Sequence, residues 1–136
     1  MKRILVGVDG SAEGKAAAEF AAQQVEKGGQ LVIAHIVHPP AVAEPIAMAP
    51  AAQAMREYGE ALVRELAARC ARPGLAIETT VRLGAPAAAL AALGTELSVD
   101  LIVVGHRGLG AVQRLLLGSV AERLVRIANR PVLVHR

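Results

Sequence analysis

Three near-continuous apolar runs mark the chain, Ile4–Val8, Leu31–Val37 and Leu101–Val104, with a short fourth at Val132–Val134. Runs without polar alternation predict strands buried on both faces, as in a parallel sheet. A fifth segment, Leu75 to Arg82, alternates instead and puts Glu78, Thr80 and Arg82 on one face, which suits a sheet edge. Between these strands the pattern turns helical. The first helix is predicted from Ala12 to about Lys27, capped by Ser11 and stopped at Gly28-Gly29. The second spans Ala51 to Ala71, with Met55, Tyr58, Leu62, Leu66 and Cys70 on one stripe, and ends before Pro73-Gly74. The third enters through Gly84-Ala85-Pro86 and runs to about Leu97; the fourth covers Ser119 to Ala128, before Asn129-Arg130-Pro131. Five strands alternating with four helices predict an α/β domain with a parallel sheet and right-handed crossovers.

Residues 39–50 interrupt this rhythm. Four of the seven prolines fall there (39, 40, 45 and 50), so the segment is expected to be an irregular, flexible loop, either a plain connector or a flap beside a site. Otherwise 136 residues suit a single domain. Only Tyr58 and Phe20 are aromatic, so the core must be aliphatic. The lone Cys70 rules out an internal disulfide and is expected to face the core. No apolar run is long enough for a membrane span, and the N-terminal run is too short for a signal peptide, which makes a cytoplasmic protein without membrane contact the expectation. The net charge of +3 is spread over scattered arginines with almost no aromatic stacking residues, so nucleic acid is not the expected partner.

The chemistry concentrates after the fourth strand. Gly105 and Gly108 follow it directly, and Gly118-Ser119 opens the next helix. Glycines let backbone amides approach a ligand, and a helix start adds free N–H groups and a positive dipole end. Strand, glycine loop and helix start together read as a phosphate cradle. The Walker A pattern fails, because no lysine lies beyond Lys27, and the dinucleotide fingerprint fails at Gln113. What remains is the spacing Gly105-x2-Gly108-x9-Gly118-Ser119. With the opening strand Ile4-Leu-Val-Gly-Val-Asp9-Gly-Ser11, it resembles the ATP-binding members of the universal stress protein family, across essentially the whole chain.

That resemblance implies a three-layer αβα sandwich with strand order 3-2-1-4-5, like the adenine nucleotide alpha hydrolase folds. The first and fourth strands would lie side by side where the winding reverses, the place where open α/β sheets take ligands. By the same resemblance Asp9, with Gly10 and Ser11 beside it, contacts a ribose. The alternative reading of Asp9 is a cap for the first helix. Gly105 and Gly108 would bring amides to the sugar and phosphates, while Gly118, Ser119 and Val120 present the helix start. Adenine would meet backbone at Ile36, with His35 and Val37 alongside and Val104 flanking the base. Arg107 and Arg114 could pair with phosphates or simply be solvated. Leu109, Val112 and Leu115 to Leu117 are apolar enough for a lid or a partner surface. Two positions depart from the family: His106 stands where Ser or Thr is common, and Gly14 where many members carry Ser.

The expected ligand is ATP, ADP or AMP, with any Mg²⁺ held by the phosphates, since the four histidines show no metal-ligand spacing. Phosphoryl transfer needs acidic metal ligands and charge stabilisers that the chain does not supply as a set, so no catalytic residue is assigned. The leading reading is a nucleotide-dependent dimeric switch in a stress response, read by an unidentified protein partner. A slow ATPase, with Ser119 and an arginine stabilising the departing phosphate, and a nucleotide-free interaction module are the alternatives. The family also implies a homodimer through Val132–Val134, which a proline at Leu133 is expected to break.

Overall fold

The computed structural model describes residues 1–38, 45–107 and 117–136, with the backbone alone over 45–49. Five strands are present: β1 (Arg3–Gly7), β2 (Gln30–Val37), β3 (Ala76–Leu83), β4 (Leu101–Gly105) and β5 (Val132–His135). The helices between them are α1 (Ala12–Gln24), α2 (Pro45–Cys70), α3 (Pro86–Glu96) and α4 (Ser119–Ile127). All strand pairs are parallel and the order is β3-β2-β1-β4-β5, as expected. β1 and β4 are therefore neighbours, with Gly7 opposite Ala34 on one side and Val104 on the other.

The two-residue period of β1 divides the core into two layers. Ile4 and Val6 join Ala17, Ala18 and Ala21 of α1 and Leu62 and Leu66 of α2 on one face. Leu5 joins Leu90 and Leu93 of α3 and Leu124 of α4 on the other. Alanines on the buried side of α1 let that helix sit close to the sheet without large side chains. The Cys70 thiol lies buried in the first layer, and burial, with Glu19 adding to it, pushes its pKa up. β3 forms an outer edge of the sheet, and its half-buried Arg82 is paired with Glu96 of α3 at 2.8 Å.

Two helix boundaries differ from expectation. α1 leaves helical geometry at Val25, short of Lys27, where the Arg72 guanidinium donates to the carbonyls of Ala22 (2.9 Å) and Val25 (2.6 Å). A long-range cation capping the last carbonyls ends the helix before the glycine pair is reached. α2 starts at Pro45 and carries Pro50 within it, so the proline-rich segment is helical from 45 onward. Pro45 occupies the first position, where its missing N–H costs nothing, and Pro50 forgoes one bond near the helix start. The remainder of the 39–50 segment, residues 39–44, lies outside the described residues.

At the amino end of the sheet the Asp100 carboxylate accepts from the amides of Lys2 (2.8 Å) and Arg3 (2.9 Å). Those bonds, that from Arg3 above all, hold its carboxyl below the usual range. Asp100 is thus a brace at the edge opposite the glycine turns.

Candidate functional site

The carboxyl ends of β1 and β4 lie side by side where the strand order reverses, the place where open α/β sheets offer a crevice. On the β1 side the chain turns at once into α1. Asp9 Oδ1 accepts from the Ser11 amide at 2.9 Å, and Ser11 Oγ accepts from the Gly14 amide at 3.1 Å. Ser11 is 6% exposed and is the N-cap of α1, as its position suggested. Asp9 therefore shapes the turn while standing at the strand end. Between them Gly10 adopts φ +90, a left-handed conformation open to glycine, and the Tyr58 hydroxyl lies directly against it.

On the β4 side, Gly105 is pressed against the first turn of α1. A Cβ there would stand 2.9 Å from the Glu13 carbonyl carbon and 3.0 Å from its oxygen. The glycine is required by close approach. Beyond it, the Arg107 guanidinium donates to Glu13 Oε1 at 2.8 Å, with both side chains mostly buried. Arg107 is thus held at the crevice by a carboxylate of α1.

Backbone bonds then close the site. The His106 amide donates to the His135 carbonyl (2.7 Å), and the His106 carbonyl accepts from the Gly118 amide (2.8 Å). His106 ties β5, the end of β4 and the start of α4 together through its backbone, which any residue type at 106 can do. This arrangement also assigns the donors. The Gly118 amide is already engaged, and Gly118 is the N-cap of α4 with no side-chain cap. The amides of Ser119, Val120 and Ala121 have no acceptor within the helix, so the anion-attracting donors lie one residue further on than Gly118 itself.

Ile36 and Val104 are buried on β2 and β4, with Val104 opposite Gly7 and Val134. Ser119 is exposed and Val120 half-buried at the helix start. Gly108, Leu109, Val112, Arg114, Leu115 and Leu116 lie outside the described residues, while Leu117 is exposed. Among the described residues no three His, Cys, Asp or Glu side chains are grouped as metal ligands would be. No described helix is long and apolar enough to cross a membrane.

Tyr58 is the residue whose place sequence reasoning misjudged. It shares a stripe with Leu62, Leu66 and Cys70, yet those three are buried and Tyr58 is 53% exposed. The centre of the stripe explains this. Gly59 is the residue pressed onto the sheet at this level, against His35 and Val81, and Val63 is buried one turn on. The buried face of α2 therefore runs through Gly59, Leu62, Val63 and Leu66 and leaves Tyr58 on its flank. The glycine within the helical pattern was the available signal of close approach.

The sequence model of the universal stress protein family matches residues 1–136. A universal stress protein of Thermus aquaticus is 36% identical over 139 residues, covering 99% of this chain and 98% of its own. One of Mycolicibacterium smegmatis is 33% identical over 96% of this chain, which spans about half (47%) of that longer relative. Among solved structures, a universal stress protein in complex with cAMP is 30% identical, covers 98% of this chain and 94% of its own, and superposes with a TM-score of 0.66. Strand order, glycine spacing and these similarities agree: the chain belongs to the universal stress protein family.

Proposed function

We propose that the protein binds an adenine nucleotide, ATP in the first instance, in the crevice between β1 and β4 and acts as a nucleotide-dependent switch. The observation that carries this reading is the uncapped start of α4, tied by the Gly118–His106 bond to the strand end beside Asp9. Its open amides and positive dipole end suit a phosphate group. The carboxylate of Asp9 supplies acceptors for ribose hydroxyls, and the backbone around Ile36 lies at the adjoining strand end for the base. The cAMP-bound relative lends the reading its chemistry, an adenine ring, a ribose and a phosphate. Gly105 and Gly108 border the phosphates in this reading, and Arg107 would exchange its bond to Glu13 for one to a phosphate. Any Mg²⁺ would be held mainly by the phosphates.

Calorimetric titration with ATP, ADP, AMP and cAMP tests the proposal. Saturable heat is expected, and Asp9→Ala should weaken binding about 10- to 100-fold, the worth of hydrogen bonds to a charged group. No heat from any of the four would overturn it.

The switch needs a second state, which we assign to a homodimer through β5. The carbonyls of Pro131 and His135 bond to β4, so alternation turns the backbone of Val132 and Val134 toward the free edge. Val125 and Ile127 of α4, the helix that leads into β5, are exposed apolar residues available to such an interface. Leu133 has its backbone toward β4, so proline at 134 is the cleaner probe than proline at 133. Light scattering should report a monomer for Val134→Pro and a dimer for the parent chain. A dimer in both would place the interface elsewhere.

A further inference from the structure

Tyr58 is one of two aromatic residues outside the histidines, and it is more than half exposed at the mouth of the crevice. Its position is set by contacts on two strands. The hydroxyl rests on Gly10, next to Asp9 at the end of β1. The ring meets His35 of β2 edge-on, with centroids 6.0 Å apart and planes at 73°. His35 is itself fixed, since its Nδ1 lies 2.8 Å from the Val8 carbonyl and must donate to it. The imidazole also packs against Gly59, the next residue of α2. An exposed phenol ring is thus held by a T-shaped contact with His35, the residue before Ile36, and by its tip on Gly10, with surface left open to solvent.

We propose that Tyr58 stacks on the base of the bound nucleotide and is a base-contacting residue of the site. This deepens the nucleotide reading and rests on it. An aromatic face offers any base a stacking platform, worth about tenfold in affinity or somewhat more. The edge contact with His35 keeps the ring from turning away. In this arrangement Asp9 holds the sugar, the start of α4 holds the phosphate, and Tyr58 covers the base from the side of α2.

The chain supplies its own reporter, because Tyr58 is the sole tyrosine and tryptophan is absent. Tyrosine emission of the full chain is followed during titration with AMP, ATP and inorganic tripolyphosphate, corrected for absorbance with N-acetyltyrosinamide titrated in parallel. Saturable quenching is expected with the two nucleotides, at the concentrations where calorimetry shows binding, and none with tripolyphosphate. Tyr58→Ala should weaken AMP about tenfold by calorimetry, and Tyr58→Phe should stay within about twofold, since the ring remains. Calorimetric binding with unchanged emission, an unweakened Tyr58→Ala, or a Tyr58→Phe as weak as Tyr58→Ala would each overturn the stacking role and leave the nucleotide reading standing. A parent chain that gives neither heat nor quenching would overturn both.

Discussion

Replacing Gly118 with aspartate should abolish tight ATP binding while leaving the fold as stable as before or slightly more so. Gly118 is the N-cap of α4 with φ −62 and ψ 152, an extended conformation that any residue adopts without strain. Aspartate is favoured at this position, where its carboxylate accepts from amides of the first turn and complements the helix dipole. Those are the donors assigned to the phosphates. The new side chain therefore occupies them from within and repels the polyanion from the same place. Loss of a charged-group interaction of about 3 kcal/mol corresponds to at least a hundredfold in affinity. Calorimetry should show that loss while the unfolding midpoint holds or rises. Unchanged affinity would remove the start of α4 from the site. Lost affinity with a collapsed midpoint would make the effect one of folding alone.

The second large effect is expected at Gly105. A Cβ there would come within 2.9 Å of the Glu13 carbonyl carbon, a backbone atom with no rotamer to swing aside. Gly105→Val must lever the first turn of α1 away from β4. Overfilling of this kind costs about 1–3 kcal/mol. For a domain of this size that is a fall of about 5–10 °C in the midpoint of thermal unfolding. The Arg107–Glu13 pair and the Asp9–Ser11 turn stand on the same helix start, so nucleotide affinity should fall with it. Circular dichroism and calorimetry read the two effects separately. An unshifted midpoint would mean that α1 yields at no cost and that the contact constrains nothing.

Some of this was legible in the chain and some was not, for identifiable reasons. Strands buried on both faces leave continuous apolar runs, so β1, β2 and β4 could be read directly, and the polar alternation of β3 marked it as an edge. The glycine spacing pointed to the loop and to α4. Contacts between distant segments left no local trace. Arg72 ends α1 from about fifty residues away, and Arg107 meets Glu13 across 94. Nor could a pattern of side chains show that the Gly118 amide is consumed by His106, because that bond joins backbone to backbone. Tyr58 was misjudged because helical periodicity gives a stripe but not its centre, which Gly59 and Val63 draw away from Tyr58.

The bond between Gly118 and His106 has a wider consequence. It joins the end of β4 to the start of α4 at one point, beside the bond that ties the same residue to β5. Donor and acceptor are both main-chain atoms, so the joint is indifferent to the side chains carried at 106 and 118. Drift at either position, proline aside, can therefore retune the chemistry at the helix start without loosening the frame that carries it.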